Sequence, residues 1–321
     1  MDYDLTLVAD THCDTLGFVE AGKSSIINDY NASKKHPHLQ VFAMYCAEDG
    51  ETAKESFDRA CRYIDIYKNA ASEGKIKHCT TLAEIVSAIR ENTRYISMLS
   101  IEGGECLMGS IENVYRFYED GVRMIAPVWN HNNVWAAGSL STGTPEDAGL
   151  SEKGVELIEL CEKLGIIIDV SHSSDNTIRD IFAITKRPPC ASHSNFREVC
   201  NHNRNLTKEH AEEISKRGGY IGLNLYHKFV RESDVCDNHS YSIKNLLSHI
   251  YYAKQTGLEG NIGFGFDIDG TGGLYPDEVD LKQSIHDLFI EEYISNESDH
   301  TFIDNISGKN FMNFLERYSL L

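Results

Sequence analysis

The sequence lacks the features that mark several classes of protein. Only six of its 321 residues are proline, which excludes a long proline-rich disordered arm. Acidic residues outnumber basic ones by 49 to 30, and the formal net charge is -19. This balance argues against a nucleic-acid partner, because binding to a phosphate backbone requires a basic face. A G-x-G-x-x-G motif after the first apolar run and a G-x-x-x-x-G-K-[ST] motif are both missing, which argues against a doubly wound open sheet.

Signals for export or membrane attachment are also missing. No apolar run approaches the ~18 residues of a membrane span, and the first residues carry Asp2 and Asp4 where a secretory signal carries Lys or Arg. Residues 314–321 lack the hydrophobic tail of a lipid-anchor signal. The nine cysteines form no C-x-x-C pair, which argues against a zinc ribbon and a thioredoxin-like motif. We therefore expect a cytoplasmic protein with reduced thiols and no membrane partner.

Short apolar runs alternate with longer amphipathic stretches along the whole chain. Runs rich in Ile, Val, Leu and Met are typical of parallel strands that are buried on both faces. Eight runs predict strands: Leu5–Asp10, Gln40–Cys46, Tyr95–Ile101, Val122–Val128, Gly165–Val170, Pro189–Ser192, Tyr220–Leu225 and Asn261–Phe266. Helical periodicity predicts helices at Thr52–Ser72, Ser151–Leu164, Asn176–Thr185, Lys208–Lys216, Ser242–Gln255 and Asp280–Ile294. Ser151 is the expected N-cap of its helix.

Eight strands separated by helices over this length favour a (β/α)₈ TIM barrel with insertions. A doubly wound open sheet is the competing architecture. No linker, repeat or change of composition divides the chain. We therefore predict that residues 1–321 form a single domain.

Polar residues follow the apolar runs at the points where the strands are expected to end. His12 and Asp14 follow the first run, and Glu102 precedes two glycines after the third. Two Ser-His-Ser tripeptides, centred on His172 and His193, follow the fifth and sixth runs. In an extended strand His12 and Asp14 lie on one face, with Cα atoms ~6.6 Å apart, and alternation turns the intervening cysteine away.

The last apolar run ends in Asp267 and Asp269, of which Asp269 suits a turn cap as well as a chemical role. A barrel gathers the C-terminal ends of its strands on one face. The resulting cluster of imidazoles and carboxylates could hold two divalent metals ~3.5–4 Å apart with a bridging carboxylate. Nitrogen and oxygen ligands favour zinc, with manganese, cobalt or iron as alternatives.

The combined motifs resemble the membrane (renal) dipeptidase family of the amidohydrolase superfamily. They are H-x-D after the first strand, E-G-G after the third, the paired histidines and G-F-D-I-D-G after the eighth. The resemblance extends from Asp10 to the segment 306–311. It implies a binuclear zinc barrel that hydrolyses dipeptides, and a homodimer.

The resemblance also implies a role for each residue. His12 and Asp14 would bind one zinc ion, His172 and His193 the other, and Glu102 would bridge the two ions together with a water. Asp267 would take the proton of that water and pass it to the leaving amine. Arg204 would bind the substrate carboxylate, which its planar guanidinium suits.

Two other functional classes remain open at this point. One is a different amide, lactone or phosphoester hydrolase on the same metal barrel, because a fold does not fix a substrate. The other is a metal-binding barrel without catalytic activity. The complete set of ligands and a base favours the dipeptidase, and dipeptides with a C-terminal D-residue are among the substrates to test. The preferred side chains depend on loops such as Thr142–Leu150.

The chain departs from the family after the fourth strand. Membrane-bound relatives have a substrate-binding histidine where this chain has Trp129, which donates one N–H but cannot become a cation. His131 lies two residues further on. If the strand stays extended, both side chains point to the same side. The hypothesis is therefore that Trp129 forms an apolar wall and that His131 takes part of the oxyanion role, the alternative being that His131 only forms hydrogen bonds within a loop.

Overall fold

A barrel of parallel strands surrounded by helices forms the core of the molecule. The structure is a computed structural model and describes residues 7–141, 148–232, 241–296 and 300–319. Within these ranges it contains nine strands: β1 Val8–Cys13, β2 His38–Tyr45, β3 Lys77–His78, β4 Tyr95–Glu102, β5 Val122–Ala126, β6 Ile167–Ile168, β7 Cys190–Ala191, β8 Tyr220–Leu223 and β9 Ile262–Phe264. The eight predicted strands are present, although the first is shifted toward His12, and β3 was not predicted.

The strand order is β6-β5-β4-β2-β1-β9-β8-β7, and all pairings within it are parallel. The short β3 lies outside this order and pairs with the start of β4. The two ends of the sheet meet at an isolated parallel bridge between Asp169 and Cys190. The sheet is therefore a nearly closed eight-stranded barrel, as predicted, and the open-sheet alternative is wrong.

Twelve α-helices lie in the described part of the chain. They are α1 Thr15–Glu20, α2 Ala53–Ser72, α3 Leu82–Arg90, α4 Ile111–Glu119, α5 Glu152–Leu164, α6 Asp175–Ile184, α7 Lys208–Lys216, α8 His227–Val230, α9 Lys244–Thr256, α10 Ile285–Asn296, α11 His300–Asp304 and α12 Asn310–Ser319. The six predicted helices are all present. As expected, Ser151 caps α5, because its hydroxyl accepts a hydrogen bond from Gly154 N.

The two faces of the barrel differ in polarity. At the N-terminal face, α12 packs its aromatic rings under the strands, and Phe311 and Phe314 contact Tyr220 of β8 with ring centroids 5.0 and 6.0 Å apart. All three side chains are buried. The hydroxyl of Tyr318 donates to the carbonyl of Ile166. Apolar side chains thus fill the N-terminal face, and the polar side chains lie at the opposite ends of the strands.

Candidate metal centre

Six polar side chains predicted from the sequence converge at the C-terminal ends of the strands. His12 lies in β1 beside a bulge, Asp14 is the N-cap of α1, and Glu102 is the last residue of β4. The other three follow directly on β6, β7 and β9: His172, His193 and Asp267. Asp14 is brought to His12 by the bulge and the helix start, and not by a continuous extended strand as expected.

Glu102 lies at the centre of this cluster, and its two carboxylate oxygens face different histidines. Its Oε1 is 2.9 Å from His172 Nε2 and 3.4 Å from His193 Nε2. Its Oε2 is 3.6 Å from His12 Nε2. Glu102 and the three histidines are all buried. One carboxylate therefore faces three buried imidazole nitrogens, and the ligand atoms of His12, Glu102 and His193 all lie within 4.8 Å of one another.

A second group forms around His12 on the side away from His172. His12 Nε2 is 3.9 Å from Asp14 Oδ1 and 3.8 Å from Asp267 Oδ1. These distances exceed those of direct hydrogen bonds, but they suit two side chains that bind one ion between them. The structure therefore brings together the residues that the sequence assigned to each of two metal positions.

Hydrogen bonds to the far side of each ring orient His172 and His193. His172 Nδ1 is 2.9 Å from Asn130 Oδ1, and His193 Nδ1 is 2.7 Å from the hydroxyl of Ser192. Each ring therefore turns its Nε2 toward Glu102, and the two Nε2 atoms lie 2.8 Å apart. Two nitrogen lone pairs at this distance repel each other unless a cation lies between them, so the arrangement fits a metal site.

Unpartnered polar atoms support the same interpretation. His12 Nε2, Asp14 Oδ1 and Glu102 Oε2 are buried and have no hydrogen-bond partner among the described residues. Leaving a buried polar atom unpaired is costly, and all three atoms face the same small volume. Imidazole and carboxylate ligands without thiolate suit zinc and related divalent ions. The donor set therefore fits the metal that the sequence predicts.

The charges in the cluster shift the pKa values of its members. Burial alone would lower the pKa of His12, but the Glu102 carboxylate, with Asp14 and Asp267, raises that pKa to about 10. Burial opposes ionisation of Glu102 as well, yet the positive charge of the neighbouring His12 holds the pKa of Glu102 well below its usual range. The carboxylates of Glu102, Asp14 and Asp267 therefore favour a positive charge at the centre of the cluster.

Asp267 is held in a strained backbone conformation beside the cluster. Its φ is +60°, and the φ values of His172 and Asp269 are both +69°, in the left-handed region that residues other than glycine seldom adopt. Asn224 Nδ2 donates to Asp267 Oδ2 over 3.0 Å. Burial, with Glu102 nearby, raises the pKa of Asp267 to about 6. A Cβ atom at Gly270 would collide with the Asp267 carboxylate, so this turn requires glycine.

Arg204 lies beneath the same face and is almost fully buried. Its two hydrogen bonds are long, 3.4 Å to the hydroxyl of Ser194 and 3.5 Å to the carbonyl of His193, and its Nε has no partner among the described residues. Burial lowers the pKa of Arg204 to about 10, although Asp267 and Glu102 oppose this effect. The guanidinium is therefore charged at neutral pH and has N–H groups to offer.

A cavity of about 850 Å³ opens over the metal centre. Its lining includes Asp14, Glu102, His172 and Asp267 together with aromatic side chains. The aromatic side chains come from helices, a strand and loops: Phe18 of α1, Tyr45 of β2, Tyr63 of α2, Phe229 of α8, and Trp129 and Tyr226. Trp129 packs edge-on against Tyr45, with ring centroids 5.1 Å apart. The tryptophan thus lies in the cavity wall, where it was expected.

The prediction for His131 depended on an extended strand, and the structure does not provide one. β5 ends at Ala126, so the two-residue alternation does not reach Trp129 and His131. His131 is exposed and is not part of the described cavity lining. The neighbouring Asn130 lines the cavity and contacts His172 instead. Most of the loop Thr142–Leu150, residues 142–147, lies outside the described residues.

Asp269 and two asparagines have roles that the sequence did not settle or reveal. Asp269 accepts hydrogen bonds from the hydroxyls of Thr15 and Tyr30, and so connects loops beside the cavity, as a turn-stabilising residue does. Asn130 and Asn224 orient His172 and Asp267. Neither asparagine belongs to a motif of charged or ligand residues, and only the fold brings them to the cluster.

A parallel barrel with histidines and carboxylates gathered at the C-terminal ends of its strands defines the class of metal-dependent barrel hydrolases. Comparison with known sequences narrows the class. Residues 6–319 match the family described as Membrane dipeptidase (Peptidase family M19). The chain therefore belongs to this family and is a metal-dependent dipeptidase.

Individual relatives agree with the family assignment. An uncharacterised dipeptidase of Schizosaccharomyces pombe is 31% identical over 218 residues, which cover 67% of this chain and 50% of that protein. An uncharacterised protein of the pqqA 5′ region in Klebsiella pneumoniae is 29% identical over 254 residues, which cover 77% of this chain and 90% of that protein.

Solved structures share the fold. A metallopeptidase described as dipeptidase AC superposes with a TM-score of 0.84 at 23% identity, covering 97% of this chain and 98% of that one. A metallopeptidase from Rhodobacter sphaeroides superposes with a TM-score of 0.83 at 22% identity, covering 98% of this chain and all of the other. Despite the family's name, the described part of this chain contains no helix with both the length and the apolar character to span a bilayer.

Proposed function

We propose that the protein is a binuclear zinc dipeptidase. The observation that carries the proposal is the position of Glu102, whose Oε1 faces His172 and His193 while its Oε2 faces His12. With Asp14, these side chains would hold two zinc ions, one on each side of the shared carboxylate. When bound, two zinc ions lower the pKa of a shared water toward neutrality and polarise a carbonyl group.

Asp267 is the residue that we assign to proton transfer. Asn224 fixes its Oδ2, which leaves Oδ1 facing His12 and the cluster. A carboxyl group with a pKa of about 6 is suited to accept a proton near neutral pH and to release it to a leaving amine. Its buried position and the hydrogen bond from Asn224 keep Oδ1 facing His12.

Arg204 is the residue that we assign to the substrate carboxylate. Its buried guanidinium has only long hydrogen bonds within the protein, and a carboxylate can accept two parallel hydrogen bonds from such a group. This contact would restrict substrates to short peptides with a free C-terminus. The Rhodobacter sphaeroides structure is liganded with a phosphinate mimic of the dipeptide L-Ala-D-Ala, so substrates with a C-terminal D-residue belong in the test.

The experiment is a panel of L,L- and L,D-dipeptides, assayed before and after removal of metal with a chelator. We expect activity to disappear on chelation and to return with zinc. Asp267→Asn should lower kcat by about 10²–10⁴-fold while two zinc ions remain bound. Asp269→Asn, two residues away, is the matched control and should retain kcat within about tenfold. Full activity of Asp267→Asn with zinc bound would exclude the proposed base.

A homodimer and a cytoplasmic location remain predictions from the sequence. Light scattering of the purified protein tests the first prediction, and cell fractionation tests the second. The single-domain assignment remains a prediction as well, and one cooperative unfolding transition of the metal-free chain is the result it requires.

A further inference from the structure

The serines that flank the two metal-site histidines have no part in the reaction outlined above. Two of them, Ser171 and Ser192, donate hydrogen bonds to Asp169, a buried residue at the bridge that closes the barrel between β6 and β7. Each of these two strands contains only two residues. The position of His172 and His193 is therefore set by contacts other than a long strand ladder.

The carboxylate of Asp169 joins the ends of the two strands. Its Oδ1 accepts hydrogen bonds from the backbone N–H groups of Ser171, over 2.9 Å, and Ser192, over 2.8 Å. Its Oδ2 accepts a short hydrogen bond from the hydroxyl of Ser192. Three donors thus converge on one carboxylate, and one of these donors is also in contact with the ring of His193.

The series of hydrogen bonds from Asp169 through Ser192 to His193 fixes the tautomer of His193. A carboxylate only accepts hydrogen bonds, and a serine hydroxyl has one proton to donate. Because Ser192 donates that proton to Asp169, its oxygen must accept from His193 Nδ1, 2.7 Å away. His193 therefore carries its proton on Nδ1, and the lone pair of Nε2 points at Glu102 and His172.

We propose that Asp169 is a positioning residue that, through Ser192, holds His193 in the tautomer required for binding a metal. The proposal rests on the assignment of His193 as a zinc ligand. Metal-binding histidines need an outer hydrogen-bond acceptor to fix the ring and its tautomer. Here that acceptor is a serine whose own direction is set by a buried carboxylate.

Asp169→Asn tests this direction without changing the shape of the side chain. The amide oxygen can still accept from the two backbone N–H groups, while the amide nitrogen now donates to Ser192. Ser192 then turns its proton toward His193 Nδ1 and moves the ring proton to Nε2, where it opposes the metal. Ser192→Ala removes the relay without reversing it, so it should have the smaller effect.

Asp10 provides a matched control elsewhere in the barrel. It is also buried, and its carboxylate accepts from the backbone N–H groups of His12 and Phe266 over 3.0 and 3.3 Å. Its third partner is His286 of α10, 2.7 Å away, which is not part of the metal cluster. Asp10→Asn therefore removes the same charge from the same type of backbone contact without acting on a ligand's tautomer.

The measurement is zinc affinity, determined by competition with a chelator. We expect Asp169→Asn to weaken one of the two zinc ions by about 10–100-fold, Ser192→Ala to weaken it less, and Asp10→Asn to stay within a few-fold of wild type. Activity of Asp169→Asn should return at high zinc concentration, because the metal selects the correct tautomer. Wild-type zinc affinity in Asp169→Asn, or the reverse order of the two relay variants, would overturn the proposal.

His193→Ala separates failure of this inference from failure of the proposed function. If this variant binds both zinc ions as tightly as wild type, His193 is not a ligand and the binuclear assignment is wrong. If it loses one ion while Asp169→Asn binds both normally, only the role of Asp169 is wrong. Should Asp169→Asn fail to fold, Ser192→Ala decides, because unchanged zinc affinity in that variant contradicts the relay.

Discussion

Asp10 and Asp169 make the same backbone contacts in two parts of the barrel. Each accepts the N–H of the residue two positions further along its own chain segment and an N–H from the neighbouring strand end. They differ in the third contact. The third partner of Asp10 is His286, whereas that of Asp169 is Ser192, which continues to His193.

The difference follows from the lengths of the strands around each aspartate. β1 has six residues, and β2 has eight, so their ladder runs as far as Asp10, and His12 lies at the bulge directly after it. β6 and β7 have two residues each, and their histidines lie beyond the ladder. Where backbone pairing is short, side-chain hydrogen bonds must position the ligands. The two halves of the metal centre are thus built by different means, and Glu102 connects them.

Replacing Glu102 should have the largest effect, because this residue belongs to both halves. Glu102→Gln removes one negative charge and replaces one of the two carboxylate oxygens that face the histidines. A metal contributes several kcal/mol to catalysis, and ~1.4 kcal/mol corresponds to tenfold in rate. We therefore expect kcat to fall at least about 10³-fold with loss of bound zinc. Glu105→Gln, three residues further on, is the control, and an equal loss there would contradict the bridging role.

The strands could be predicted because their apolar runs can be recognised in the sequence alone. The ligands could be predicted because barrel topology places strand ends on one face, so His12, Glu102 and His193 meet although they are far apart in sequence. His131 could not be placed, because alternation holds only within a strand and β5 ends five residues before it. The left-handed φ of His172 and Asp267 leaves no mark on the sequence.

Other features were missed for identifiable reasons. The partner of Asp10 is 276 positions away on α10, beyond the reach of any local pattern. Asn130 and Asn224 are common polar residues whose contacts depend on the closed barrel. In contrast, α3 was recognisable, because Thr81 and Glu84 form a capping box at its start.

The part of the barrel around Asp10 and His12 should lose stability on acidification, because it contains a buried histidine outside the metal cluster, His38. Burial, together with the nearby His286, lowers the pKa of His38 from 6.5 to about 3. The unfolded chain therefore binds a proton at His38 more readily than the folded chain does. The contribution of neutral His38 to the stability of the fold is complete above pH 6.5 and is lost as the pH falls toward 3. Between about pH 7.5 and about pH 5, the loss of this contribution lowers the free energy of unfolding by roughly 2 kcal/mol.

His38→Asn tests this prediction, because asparagine can still accept from Ser33 N, as His38 Nδ1 does, but does not titrate. Urea unfolding of the metal-free wild type and variant at the two pH values gives the comparison. The variant should lose about 2 kcal/mol less than wild type on acidification. An identical pH dependence in both proteins would show that His38 is not the source of the acid sensitivity.

The part of the barrel around Asp169 and His193 packs on α12 at the N-terminal face. The smallest effect is expected for a change in this contact. The Tyr318 hydroxyl donates to the carbonyl of Ile166 just before β6, over 2.7 Å. Tyr318→Phe removes one buried hydrogen bond and should lower the free energy of unfolding by about 1 kcal/mol. Tyr115→Phe, at an exposed hydroxyl-bearing side chain, is the control and should change it by less than about 0.5 kcal/mol. Zinc affinity should be unchanged in both variants, because α12 lies at the face opposite the metal centre. If Tyr318→Phe weakens zinc binding while its stability stays normal, the two faces are coupled, and the separation between barrel support and ligand orientation argued above is wrong.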